Sequence, residues 1–238
     1  MKKSILRWGT VIILFVAVLY ITYDMMNSRT FQVFGEIVPR VETTQKAVAL
    51  TIDDGPNGKA DKLIHLLEEE KIKATFFLIG QEMEKYPQET VKLIQAGHEI
   101  GNHSYSHQRM VLKTPGFIQN EIERTDTLIH QAGYQGDILF RPPYGKKLFL
   151  LPYYLNKTNR KSITWDIEPD SDPQIASSTD RMINYVVHEA KPGSIILLHG
   201  WHYSDEEASH VIRGIVGGLR EQGYTFLTVS ELMLLRGK

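Results

Sequence analysis

Short, continuous apolar runs alternate along the chain with longer segments whose apolar positions recur every three or four residues. The runs are Ala47 to Ile52, Ala74 to Ile79, His98 to Gly101, Ile138 to Phe140, Ser162 to Trp165, Ser194 to Leu198 and Thr225 to Val229. The periodic segments predict helices over 59–71, 82–96, 116–132, 146–158, 177–190 and 206–222, with a short one from 230. In the first of them Leu63, Leu66 and Leu67 form one face and Glu68, Glu69 and Glu70 lie on the other. Strands buried on both faces read as unbroken apolar runs, so this alternation predicts an α/β fold with a largely parallel sheet. Periodicity alone leaves two forms open, a doubly wound sheet or a barrel of fewer than eight strands.

The first thirty residues follow a different pattern. Lys2, Lys3 and Arg7 precede an uncharged run from Trp8 to Tyr23, and Asp24 is the next charge. As a helix those residues span about 24 Å, against roughly 30 Å of hydrocarbon. A snorkelling Arg7, with Trp8, Tyr20 and Tyr23 at the interfaces, makes up most of the difference. No small-x-small cleavage site follows the apolar core, because Ala17 leads into Val18, Leu19 and Tyr20. The expectation is an uncleaved signal anchor, a single membrane-spanning helix with the basic N-terminus inside and the rest of the chain outside.

Composition narrows the function. The 238 residues are 42% hydrophobic and 23% charged, which fits a globular domain and excludes a disordered or fibrous chain. Lys plus Arg number 27 and Asp plus Glu 28, and beyond the N-terminus no basic cluster is placed to neutralise a phosphate backbone, so nucleic acid is not an expected partner. There is no cysteine, so disulfides, thiolate metal sites and a cysteine nucleophile are all absent. Any metal must be held by histidine and carboxylate. A cysteine-free exported chain is expected at a Gram-positive cell surface.

In parallel α/β folds the active site lies at the carboxyl ends of the strands, where the loops converge. Five of the seven runs end in ionisable or metal-binding groups. These are Asp53-Asp54-Gly55-Pro56, His103-Ser104-Tyr105-Ser106-His107, Arg141-Pro142-Pro143-Tyr144-Gly145, the series Asp166, Glu168, Asp170 and Asp172, and His199. Two imidazoles four residues apart, with a carboxylate from the neighbouring strand end, form a donor set suited to zinc or another divalent ion. Adjacent carboxylates repel, and giving one to a metal while the other serves as a base relieves this.

Taken together, Thr51-Ile52-Asp53-Asp54-Gly55-Pro56, His103-x-x-x-His107, Arg141-Pro142-Pro143-Tyr144-Gly145 and Leu197-Leu198-His199 resemble, in order, the motifs of the NodB-homology polysaccharide deacetylases, carbohydrate esterase family 4. The resemblance spans roughly residues 44 to 230. It implies a distorted (β/α) barrel of about seven parallel strands and metal-dependent removal of N-acetyl groups from a sugar polymer, peptidoglycan or a chitin-like oligosaccharide. By position, Asp54, His103 and His107 resemble the metal ligands, Asp53 the general base and His199 the general acid. Arg141 resembles the residue that orients Asp53, and the Tyr144 N–H the oxyanion donor. Pro142 and Leu197, from the same motifs, and Trp201 fall with Tyr144 on the expected substrate side. The implied cofactor is one divalent ion, zinc or secondarily cobalt, and the implied partners are an acetylated polysaccharide and, through the first helix, a membrane, with the chain a monomer. Residues 1–29 then form a cytoplasmic stub and anchor, 30–44 a linker and 45–232 the catalytic domain.

Two positions depart from the family pattern. Gly200 follows the last histidine where an Asp is usual, and the Asp-Trp pair expected after the fifth run is missing. A carboxylate of that segment, Asp170 first, is expected to support His199, and Trp201 or Trp165 to supply the aromatic wall. The alternative function is a wall-binding module that keeps the barrel and has lost turnover. His65, His98, His130, His188 and His210 fall inside element patterns and are read as packing or surface residues.

Overall fold

The computed structural model describes residues 2–238, with side chains from Trp8 onward. The first helix, α1 (Lys2–Asn27), runs unbroken, and its apolar stretch Trp8–Asn27 is exposed over most of its length, joined to the remaining chain at its C-terminal end, and long and apolar enough to cross a membrane.

Beyond it, among the described residues, all strand ladders are parallel, and a single antiparallel bridge joins Arg40 to Ser194. Strand β2 (Ala47–Asp53) is buried at every position and lies at the centre. It pairs with β3 (Thr75–Leu78) near its end, with β6 (Ile195–Leu198) along its middle and with β7 (Thr225–Leu227) at its start. Strand β4 (Glu99–Asn102) pairs with β3, and β1 (Ile37–Val38) with β5 (Ser162–Ile163). Single-residue bridges from Asn102 to Phe140, Phe140 to Ser162 and Ile167 to Ile196 carry the sheet onward from β4 and back to β6. The result is a distorted barrel and not an open doubly wound sheet. Helices α2 (Ala60–Glu69), α3 (Gly80–Lys85), α4 (Pro87–Gln95), α5 (Pro115–Gln131), α6 (Leu150–Lys157), α7 (Thr179–Glu189), α8 (Asp205–Glu221) and α9 (Val229–Met233) follow the strands.

The period-2 geometry of β2 decides what faces where. Val48, Leu50 and Ile52 pack with Leu63, Leu67, Val211 and Ile215 of α2 and α8. Ala47 and Ala49 point the other way, into a smaller cluster with Phe77, Trp165, Ile195 and Leu197. Thr51 and Asp53 continue that inner row, so one carboxylate of the Asp53-Asp54 pair is directed into the barrel while the other sits at the strand end.

Three features differ from the sequence reading. The helix expected over 82–96 is two helices, because Pro87 lacks an N–H and disfavours helical backbone at Tyr86, which adopts φ −128°. The run at Ile138 to Phe140 contributes only the Phe140 bridge, since Pro142 and Pro143 cannot donate to a ladder. The segment 30–44, expected to be a linker, is built into the fold. Val38 and Val41 are buried, β1 pairs with β5, and the Val41 N–H donates to the Gly193 carbonyl at 2.9 Å.

Candidate active site

A cleft of about 950 Å³ opens at the carboxyl ends of the strands. Its lining includes Asp53, Asp54, His103, His107, Tyr144, Asp170, Leu197, His199 and Trp201. Among the expected site residues, Arg141 lies behind Asp53, fully buried. Pro142 is the exception, since it is buried outside the cleft lining and its carbonyl accepts the Gly145 N–H at 2.9 Å. It shapes the Tyr144 loop and does not offer a surface to a ligand.

Asp53 and Arg141 form a buried ion pair at 2.5 Å. The guanidinium also donates to the Thr51 hydroxyl at 2.7 Å and the Thr164 carbonyl at 3.1 Å, and lies 4.1 Å from the Phe77 ring centroid. A guanidinium with its donors thus satisfied is held rigidly and fixes the carboxylate it faces. Burial lifts the Asp53 carboxyl above the ordinary range, opposed first by the charge of Arg141 and then by that of His199.

Asp54, His103 and His107 bring one ligand atom each within 4.8 Å of one another. His103 donates from Nδ1 to the Arg141 carbonyl at 2.8 Å, which leaves Nε2 unprotonated towards the cleft, the tautomer a metal ligand needs. Burial pulls His103 down to about 3 and lowers His107, so both imidazoles are neutral donors. Asp54 Oδ1 is buried and has no hydrogen-bond partner, 3.3 Å from His107 Nε2 and 3.8 Å from His103 Nε2. A carboxylate oxygen left in that state costs free energy unless a cation completes it, and two imidazoles plus a carboxylate suit a divalent ion. The residues present therefore fit the expected metal.

Backbone strain gathers here. Asp54, Ser104, His107 and Tyr144 have φ of 70°, 65°, 53° and 58°, a region that non-glycine residues rarely adopt. At Tyr144 the turn leaves its ring exposed, 4.6 Å from the His107 ring. The loop's own hydrogen bonds take the N–H groups of Gly145 and Lys146 and not that of Tyr144.

His199 follows β6. Its Nδ1–H donates to Asp170 Oδ2 at 3.0 Å, and the same oxygen accepts its backbone N–H at 2.7 Å. Burial works against protonation, but the Asp170 hydrogen bond, then the charges of Asp53, Asp170 and Asp54, outweigh it and raise His199 to about 9. The other carboxylates of that segment are engaged elsewhere. Asp166 accepts from Ser194 and Ile195, Glu168 from Trp165, Ser171 and Arg29, and Asp172 from the backbone of Gln174 and Ile175.

Trp201 is 2% exposed and packs on Phe76 and Gly55, where any Cβ would strike its ring. Trp165 is nearly as buried, so both indoles form floor more than wall, and the exposed aromatic at the cleft is Tyr144. Sequence reasoning missed three participants, Tyr203, Asn27 and Arg29, and named Glu168 only as one of a carboxylate series. Tyr203 donates to Asp170 Oδ1 at 2.5 Å, and Asn27, Arg29 and Glu168 line the cleft. His202 stacks parallel on His199 with centroids 5.9 Å apart, its Nε2 3.7 Å from Asp54.

Residues 40–167 match the polysaccharide deacetylase family model. The chain is 28% identical over 210 residues to a peptidoglycan-N-acetylglucosamine deacetylase of Bacillus cereus, covering 88% of this chain and 98% of that protein. It is 35% identical over 197 residues to a bifunctional xylanase/deacetylase of Pseudobutyrivibrio xylanivorans, covering 81% of this chain but only 31% of that longer protein. Among solved structures, a mutant of a carbohydrate esterase family 4 pseudoenzyme with restored enzymatic activity superposes with a TM-score of 0.75, at 25% identity over 87% of this chain and 72% of that one.

Proposed function

Since the chain belongs to the polysaccharide deacetylase family, we propose that it is a metal-dependent hydrolase that removes N-acetyl groups from an extracellular sugar polymer, with peptidoglycan the leading substrate. The observation that carries this reading is the meeting, in one cleft, of an arginine-held carboxylate, a carboxylate-held imidazole and a three-donor cluster with an unpartnered carboxylate oxygen.

Asp54, His103 and His107 would hold the ion, zinc first and cobalt second, whose Lewis acidity polarises an acetyl carbonyl and acidifies water. Asp53, ionised against Arg141, takes one proton from the attacking water as its oxygen bonds to the carbonyl carbon. The Tyr144 N–H faces the oxyanion that develops, a contact of a kind worth about 2.7–4 kcal/mol. His199, protonated near neutral pH and fixed by Asp170, gives its proton to the amide nitrogen as the C–N bond breaks, releasing acetate and a glycosamine. Tyr144 and Leu197 border the bound sugar, with Trp201 beneath. The first helix anchors a monomer to the cell membrane, with residues 45–232 as the external catalytic domain.

A non-catalytic wall-binding module has no need of a base, its orienting cation and an acid together, and the Asp53–Arg141 and His199–Asp170 pairs support the catalytic reading over it. The test is acetate release by the full-length protein on peptidoglycan, chitooligosaccharide and acetylxylan, first chelated and then restored with zinc or cobalt. Metal-dependent release, lost by about 10²–10⁴-fold in Asp53→Asn and His199→Ala, is the expected result. No release from any polymer by a zinc-loaded protein would overturn the reading in favour of the binding module.

A further inference from the structure

The end of α1 is not followed by a spacer. Trp8–Asn27 as a helix is about 30 Å long, the thickness of a bilayer's hydrocarbon core, and Asn27 already lines the cleft. The next residues are pinned to the catalytic domain. Lys146 bonds the Asn27 side chain, Lys147 bonds the Ser28 carbonyl, the Thr164 hydroxyl donates to the Arg29 carbonyl at 2.7 Å, and Arg29 pairs with Glu168 at 3.2 Å. The place where the chain leaves the membrane is therefore one rim of the cleft.

Large apolar side chains lie exposed around that place. Phe31, Val33 and Phe34 are 52%, 38% and 39% exposed, and Phe149, Leu150 and Tyr153 of the segment opening α6 are 46%, 43% and 52% exposed. The two groups meet, with the Phe34 and Tyr153 rings 5.6 Å apart, and of the two lysines before the second group Lys146 is half-buried and Lys147 fully buried. Scattered single apolar residues need no explanation, but a joined aromatic patch does. Exposed aromatic and aliphatic side chains joined beside the end of a membrane-crossing helix are the composition of a surface that settles into a lipid interface.

We propose that this face rests on the outer leaflet of the membrane that α1 spans, so that the cleft works at the bilayer surface on glycan lying against it. The occupant is fixed by continuity, because the patch begins four residues beyond the span. The proposal rests on the deacetylase reading for its substrate, and the substrate class it selects is membrane-adjacent glycan, newly made or still lipid-linked, and not wall strands beyond the reach of the rim.

The cysteine-free chain allows single nitroxide labels in full-length protein reconstituted in phosphatidylethanolamine/phosphatidylglycerol vesicles. Phe149→Cys and Tyr153→Cys report the patch, and Glu221→Cys, exposed at the end of α8 where the chain turns back into β7, reports the far side of the barrel. The expected result is a collision rate with a water-soluble nickel complex several-fold lower, and with oxygen higher, at 149 and 153 than at 221. Equal access to nickel at all three sites overturns the proposal, as does spin–spin broadening at 149 or 153, which would give the face to a second copy. None of these readouts uses turnover, so acetate release by the same labelled proteins judges the deacetylase reading separately.

Discussion

At the residue scale, the four carboxylates after the fifth apolar run show what sequence can and cannot resolve. Their closeness to His199 was legible from strand-end logic, and Asp170 was the expected partner. Tyr203 was not, because it stands in the loop before α8, in no motif and at no strand end, and its bond to Asp170 is made only in the folded cleft. If Asp170 holds the proton on His199, Asp170→Asn should move the alkaline limb of kcat/KM from near pH 9 towards 6.5 and lower kcat, as read in a pH–rate profile. Tyr203→Phe leaves the carboxylate in place and should shift that limb less. A second histidine acts on stability. His98 is 3% exposed, accepts the Ala74 N–H on Nδ1 at 3.2 Å and packs edge-on against Phe76. Burial pulls it down to about 4. Between pH 6.5 and 4 the unfolded chain therefore binds a proton that the folded one refuses, so His98 costs nothing above 6.5 and destabilises as the pH falls, by up to about 3 kcal/mol. His98→Asn keeps an acceptor for Ala74 without titrating. In urea unfolding at pH 7 and pH 5, the variant should lose less stability than wild type on acidification.

Among the elements, the long amphipathic helices and the fully apolar strands were readable because each buries a face with a fixed period. Elements closed by only one or two residues were not. Strand β1 is two residues long, and the Phe140 bridge is one. Their pairing comes from partners more than a hundred residues away in the first case, which no local pattern encodes. The boundary at Tyr86–Pro87 was present in the sequence as a proline inside a helical period. What seats residues 40–41 is Gly193, at φ 83°, where an added Cβ would lie 1.7 Å from the Val41 carbonyl oxygen. Gly193→Ala should cost about 2–4 kcal/mol through backbone strain and lost docking. The measurement is the midpoint of urea unfolding, and His103 and His107 metal binding should survive below that midpoint.

For the molecule as a whole, the motifs stood at strand ends in sequence, and the barrel brings them into one cleft at the carboxyl ends of its strands. A folded chain with this donor set binds an ion that the unfolded chain does not, so zinc at 100 times its Kd should add about 2.7 kcal/mol of stability. Differential scanning calorimetry should show the melting temperature rising with zinc and returning on chelation, and an unchanged value would count against the site. The pairing order of β2 also bears on how the protein folds. Two partners of this central strand, β6 and β7, end at Leu198 and Leu227, and the carbonyl of Lys238 accepts the Thr44 N–H at 3.0 Å. Such separations make closure slow and late. A barrel whose central strand is completed by partners this far along the chain gains its last edge only when β6 and β7 dock on β2, so its folding waits on long-range pairing and not on its helices.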